Sequence, residues 1–192
     1  MSNYNIILAG VGGQGLVLTT KIICETALKA GYDVKSNDVI GLSQRGGKIW
    51  GSVRIGENIH SPNIPNHGDI ILGMELLEAY RWRENLIKGG IAIVNTEQIP
   101  PVPVITEKVP YPDNILIELE KDFSVTAFNA TEMAESLGTI KVMNTILMGV
   151  LASKTDIPEE YWLEAVRENV PTKFIELNEE AFLKGYEYES KN

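Results

Sequence analysis

Residues 10–15 read Gly10-Val11-Gly12-Gly13-Gln14-Gly15, between an apolar run at residues 4–9 and a helical pattern that begins near Leu16. A strand that turns through glycines into a helix leaves main-chain N–H groups unpaired at the positive end of the helix dipole. It therefore offers them to an anion. Four glycines in six positions exceed what a turn requires, and each costs backbone entropy on folding, so the loop is expected to let a ligand or partner approach closely. The order also matches G-x-G-x-x-G, in which the glycines make the turn, admit a pyrophosphate and let helix pack on strand. Asp38, at the end of the next strand, stands near where a dinucleotide site places its ribose-binding acid. It is equally placed to cap the turn that follows, so NAD binding stays open as an alternative.

The 192 residues are 44% hydrophobic, enough for one domain with a sizeable core. Residues 156–192 are expected to form a helical extension of that single domain. No apolar stretch is long enough to cross a bilayer, and the N-terminus lacks the basic and apolar regions of a signal peptide, so a cytoplasmic location is expected. A net charge of -9 without a basic cluster argues against nucleic acid. The single cysteine, Cys24, excludes an internal disulfide and a cluster held by four thiolates of this chain.

Hydrophobic periodicity predicts alternating strands and helices. A strand at 4–9 leads to a helix whose face carries Leu16, Thr20, Ile23, Ala27 and Ala30 and which ends at Gly31, followed by a strand at 32–39. This βαβ order implies a parallel pair with a right-handed crossover. Residues 48–55 alternate as a strand, and Gly56-Glu57-Asn58 predicts a hairpin whose return strand is 58–61. Further on, a strand at 69–72, a helix at 74–86, a break at Gly89-Gly90 and a strand at 91–94 are expected. Pro100, Pro101 and Pro103 impose extended backbone, with a short edge strand at 104–106. A helix at 113–120, a strand at 123–128 and a helix capped by Asn129 with Glu132 complete that region. Residues 140–152 are apolar on nearly every side, which predicts a helix buried against the sheet or in a subunit interface. Two acidic amphipathic helices follow, announced by Pro158-Glu159-Glu160 and Asn178-Glu179-Glu180. The economical fold is α/β: a three-layer α/β/α sandwich on a mainly parallel, Rossmann-like sheet, with a β-hairpin excursion and C-terminal helices.

The second candidate loop is Ser43-Gln44-Arg45-Gly46-Gly47, where glycines would let backbone and guanidinium meet an anion together. A solvated surface arginine explains the same residues equally well. Asn144, inside its apolar helix, must find a hydrogen-bond partner, structural or ligand. His60 and His67 flank a loop without other ligating groups, so no metal site is expected. Cys24 reads as a small buried hydrophobe, and Trp50, Trp82 and Trp162, spread along the chain, as core or interface anchors and not as a stacking platform for bases.

The glycine loop, then Gln44-Arg45-Gly46-Gly47, then Asn144 with Leu147 and Gly149, and Asn178 with Ala181, Phe182 and Gly185 together resemble the gamma-type subunit of 2-oxoacid:ferredoxin oxidoreductases. The resemblance runs through nearly the whole chain, and length and spacing place it nearest the indolepyruvate branch. It implies an accessory subunit, without a catalytic residue of its own, of a complex that converts a 2-oxoacid, coenzyme A and oxidised ferredoxin to acyl-CoA, carbon dioxide and reduced ferredoxin. Thiamine diphosphate and iron–sulfur clusters are then expected on a large partner subunit, through which ferredoxin is met. The thiamine diphosphate signature Gly-Asp-Gly is incomplete in this chain, where Gly68-Asp69 is followed by Ile70. Gly10, Gly12, Gly13, Gln14, Gly15, Gln44, Arg45, Gly46, Gly47 and Asn144 are the expected cofactor-binding residues, the glycine loop and the Arg45 loop forming one wall of the site and offering N–H groups and a cation to a carboxylate, phosphate or coenzyme A group held by the partner. Two other classes remain: an NAD-dependent oxidoreductase, and a non-catalytic scaffold. An apolar patch left by the helix at 140–152 would make the isolated chain a homodimer.

Overall fold

The computed structural model describes residues 2–39, 48–100 and 110–188. Its six-stranded sheet is built from β1 (Tyr4–Val11), β2 (Asp33–Val39), β3 (Lys48–Gly56), β4 (Gly68–Gly73), β5 (Leu86–Asn95) and β6 (Ser124–Phe128), in the order β2-β3-β1-β4-β5-β6. Among the described residues the α-helices are α1 (Leu16–Lys29), α2 (Leu76–Trp82), α3 (Ile115–Glu120), α4 (Ala130–Ser136), α5 (Met143–Ser153), α6 (Glu159–Asn169) and α7 (Ile175–Tyr186).

β1 forms because its apolar run is wanted on both faces: Ile6, Leu8 and Ala9 are fully buried and Ile7 nearly so. Ile6 and Leu8 face a core shared with α1, α5, α6 and α7, while Ile7 faces a second cluster with α2 and α3. Helices thus cover both faces, as the three-layer expectation required. Trp162 and Phe182, from the C-terminal helices, lie in the same cluster as Ile6. The segment from residue 156 is therefore part of the main core.

The sheet is mixed. β1, β4, β5 and β6 run parallel, but β3 lies between β1 and β2 and is antiparallel to both. The expected parallel neighbours β1 and β2 are thus one strand apart. The hairpin excursion also has a different partner: β3 returns onto β2, with Val39 opposite Trp50, and residues 58–61 form no strand. The turn chemistry is present, since Asn58 has φ 56°. The segment after this turn pairs with no strand, and Pro62 stops any extension beyond Ser61. Instead the Arg54 guanidinium holds the carbonyls of Ser61 and Asn63 at 2.9 and 3.1 Å, and Ser52 Oγ donates to that of Pro62.

Other boundaries moved for local reasons. Gly89-Gly90 is a bulge within β5, with Gly89 at φ 78° and its N–H donated to Asp122, so the strand continues from Leu86. The helix expected at 74–86 is α2 followed by a 3₁₀ turn at Arg83–Asn85. Asn129 caps α4 through Glu132 N–H, as its sequence implied. Asn178 caps nothing: it lies inside α7, buried, donating to the Phe174 carbonyl and accepting from Thr145 Oγ1 at 2.8 Å. The edge strand expected at 104–106 lies outside the described residues.

A side-chain clasp ties β1 and the end of α1 to the turn before α6. Asp156 accepts hydrogen bonds from Ser2 Oγ, Tyr4 Oη and Tyr32 Oη at 2.7 to 2.8 Å. Bonds from Ser2 and then Tyr4 lower the Asp156 carboxyl from 3.8 to about 2, and burial with the bond to Asp156 raises the Tyr32 phenol to about 12. The carboxylate contributes fully above pH 3.8 and loses its contribution as pH falls towards 2; the phenol contributes fully below pH 10 and loses it as pH rises towards 12. The urea midpoint is therefore expected to fall more steeply between pH 4 and 2 in the native chain than in Asp156→Asn. Parallel acid limbs for the two proteins would dismiss the clasp.

Candidate functional site

The parallel strands end together at one rim, at Val11, Gly73, Asn95 and Phe128. In open α/β sheets the crevice outside such carboxyl ends is where ligands bind. Asn95, fully buried, joins the loops that leave this rim. Its Nδ2 donates to the Met74 carbonyl and Thr131 Oγ1, both at 3.1 Å, and its Oδ1 accepts from Ala130 N–H at 3.0 Å. Thr131 Oγ1 in turn donates to Glu97 at 2.7 Å. A polar residue closing a buried strand was the signal available in sequence, and reading 91–94 as the whole strand missed it.

The glycine loop is fastened to the same network by Gln14. Its Oε1 accepts from Val11 N–H and its Nε2 donates to the Met74 carbonyl, both at 2.9 Å. Gly10 itself lies inside β1, beneath Gln14 and Leu16, so it shapes the turn and does not face a ligand. Gly15 is the N-cap of α1 at φ 80°, and a Cβ there would stand 2.8 Å from Asn144 Nδ2. Asn144, 6% exposed, donates to Thr19 Oγ1 at 3.3 Å. Its partner is thus structural, although it also lines the pocket. The first turn of α1 has neither a side-chain cap nor an acidic residue. Its N–H groups and its dipole are left to whatever occupies the adjacent space.

That space is an open pocket of about 560 Å³. Gly12, Gly13, Gln14 and Gly15 form one wall, Glu97 and Thr131 a second, and Lys141 with Asn144 a third. Lys141, which the sequence reading passed over, brings a cation opposite the glycine amides; Glu97 can accept from a donor on the same ligand. An apolar cleft of about 340 Å³ adjoins it, sharing Leu18, Lys141 and Asn144 and adding Val142, Val170 and Phe174. Leu18, Ile140 and Phe174 are 37%, 57% and 39% exposed around this opening.

The structure brings Gly12, Gly13, Gln14, Gly15 and Asn144 together. Gln44, Arg45, Gly46 and Gly47 lie outside the described residues. The dinucleotide reading loses its geometry: Asp38 is on β2, paired with Gly51 of β3, and β3 separates it from β1. Two strand spacings, about 10 Å, replace the neighbouring position that a ribose acid needs. His60 and His67 are exposed, and among the described residues no group of three or more potential metal ligands occurs. Cys24 is half-buried against the main core. Trp162 is a core residue, whereas Trp50 and Trp82 pack on each other with ring centroids 4.6 Å apart. Asp69, of the incomplete Gly-Asp-Gly, accepts from the Asn5 backbone and side-chain amides at 2.8 and 2.9 Å, which occupies it structurally.

Comparison with known proteins points one way. The pyruvate ferredoxin/flavodoxin oxidoreductase family matches residues 5–188. Indolepyruvate oxidoreductase subunit IorB of Thermococcus kodakarensis is 38% identical over 189 residues, covering 95% of this chain and 94% of its own. The subunit of that name from Methanothermobacter thermautotrophicus is 37% identical over 190 residues, with 96% of each chain covered. The gamma subunit of a keto/oxoacid ferredoxin oxidoreductase from Geobacter sulfurreducens superposes with a TM-score of 0.75 at 26% identity, over 98% of this chain and 99% of that one. A 2-oxoglutarate:ferredoxin oxidoreductase from Magnetococcus marinus, solved with 2-oxoglutarate, coenzyme A and succinyl-CoA bound, superposes with a TM-score of 0.81 at 17% identity. It covers all of this chain but 32% of its own, so it attests the fold alone, carried there within a longer polypeptide. On the match from residue 5 to residue 188, the chain belongs to the pyruvate ferredoxin/flavodoxin oxidoreductase family, as a small subunit of gamma type.

Proposed function

We propose that this chain is the accessory subunit of an oxidoreductase that decarboxylates an aryl pyruvate such as indolepyruvate, giving acyl-CoA and carbon dioxide and passing the electrons to ferredoxin. The observation that carries the reading is the pocket at the glycine loop, cationic on one side, amide-lined on the other and open towards an apolar rim. Such a site is half of something, and a larger subunit supplies the rest. Identity of 35–38% to four archaeal IorB subunits supports the indolepyruvate branch over the pyruvate/ketoisovalerate gamma subunits at 27–28%.

Thiamine diphosphate would supply the carbon–carbon cleavage chemistry of the complex. The residues of this chain do not fit it, because Asp69 is engaged by Asn5 and Ile70 replaces the second glycine. One cysteine cannot ligate a four-thiolate cluster, which supports the reading that the larger subunit carries those centres. What this chain contributes is binding. Amides of the glycine loop and the first turn of α1, with Lys141, hold a negatively charged group, which the reaction offers as the 2-oxoacid carboxylate or a phosphate of coenzyme A. Glu97 accepts from a hydroxyl or amide of the same ligand. Fixed donors stabilise that charge without reorganising during turnover.

The test is reconstitution with the large subunit, following indolepyruvate- and coenzyme A-dependent dye reduction. Mixed subunits are expected to turn over far faster than either alone; full activity of the large subunit by itself would sink the proposal. Arg45→Ala is expected to lower turnover of the assembled complex at least tenfold while leaving assembly by size-exclusion chromatography within about twofold. Equal losses would make that loop an interface element instead.

A further inference from the structure

On the opposite face of the sheet lies a second cleft, of about 290 Å³, that shares no lining residue with the glycine-loop pocket. It opens between the end of α2 and the outer strands: Ile7 and Ser52 form its floor, and Trp50 and Trp82 one side. The two indoles, far apart in sequence and read there as anchors and not as a stacking platform, pack on each other at 34°, each half-buried, and so form one aromatic surface. Carboxamides from Asn37, Asn63, Asn66 and Asn85 also line it. Among the described residues no charged side chain lines the cleft.

We propose that this cleft binds an uncharged nucleobase, free or as its nucleoside. An indole face stacks on a planar heterocycle of any sequence, and a carboxamide, which both donates and accepts, pairs with the mixed donor and acceptor edge of a base. These carboxamides retain capacity for this. Asn37 Nδ2 donates to Asn63 Oδ1 over 3.4 Å and Asn85 Nδ2 to the Trp82 carbonyl over 3.4 Å, both long bonds, and Asn66 has no hydrogen-bond partner among the described residues. The loop carrying Asn63 is fixed in place by Arg54 on its carbonyl, so that part of the lining is held before a ligand arrives. Among the described residues the lining carries no cation, which favours the neutral moiety over a phosphate, and the overall charge of -9 disfavours a polynucleotide.

The experiment is titration of the full-length, ¹⁵N-labelled chain with adenosine, guanosine, adenosine monophosphate and glucose, reading the three indole N–H signals. Saturable shifts of the Trp50 and Trp82 signals with a nucleoside are expected, with Trp162 unmoved and the monophosphate binding no tighter than adenosine. Trp82→Ala should weaken binding at least fivefold. Asn66→Ala, at an exposed position that folding does not depend on, should weaken it about threefold. No saturable shift with either nucleoside at millimolar concentration overturns the proposal. So do shifts with glucose alone, or shifts at these two indoles seen only when the large subunit is added, which would make the cleft a protein contact.

Discussion

Gly185→Ala is expected to destabilise the chain by about 3 kcal/mol, lowering the melting temperature by roughly 6 to 12 °C. Helix propensity alone predicts the reverse, since Gly185 lies inside α7 and alanine is favoured over glycine there by about 1 kcal/mol. Packing decides against propensity. A Cβ on Gly185 would stand 1.9 Å from the Ile146 carbonyl oxygen of α5, and one on Gly149 would stand 2.1 Å from the Phe182 carbonyl oxygen of α7. Both obstacles are backbone in buried helices, which no rotamer change relieves. Two glycines thus set the distance between α5 and α7, and α7 covers an α5 whose residues from Met143 to Ala152 are all buried. Thermal and urea unfolding measure the sign directly. A neutral or stabilising alanine at either position would show that the helices are free to separate.

The second large effect concerns the pocket. Gln14→Glu is expected to cut kcat/KM of the assembled complex roughly 100-fold, because a carboxylate about 6 Å from the anion proposed to bind there is worth about 3 kcal/mol of repulsion at an effective dielectric near 20. The same change keeps an acceptor for Val11 N–H but removes the donor to the Met74 carbonyl, so the loop loses one of its two fastenings. Gln14→Met, which removes both bonds and adds no charge, should lose less kcat/KM and more stability. Measuring both quantities for both variants separates electrostatics from loop positioning. If the methionine variant were the slower enzyme, the pocket would depend on loop geometry and not on binding an anion.

Most of the element pattern was legible because it rests on local signals: the apolar run of β1, the stripe of α1 with Gly31 behind it at φ 83°, and the Asn129 cap of α4. The errors fall where a local signal has two global solutions. Gly56-Glu57-Asn58 is a turn in either reading, but only the arrangement in space decides that β3 pairs back with β2 and inserts beside β1. Asn178 followed by two glutamates spells a helix start, yet α7 already runs from Ile175 and buries that asparagine against Thr145. Of the site, the glycine loop and Asn144 were readable as residues that must be doing something. Lys141, Glu97, Thr131 and the Asn95 hub were not, because each is an ordinary polar residue in one dimension.

The amino-acid order by itself determined the glycine turn, the helix that follows it, the burial of residues 143–152 and the shortage of thiolates, since each depends on neighbours within about a helical turn or on composition. Only the tertiary structure decided strand order, the arrival of Lys141 and Glu97 in the pocket lined by the glycine loop, and the pairing of Trp50 with Trp82. Those contacts join residues tens of positions apart, and nothing short of closing the whole sheet brings them within reach of one another.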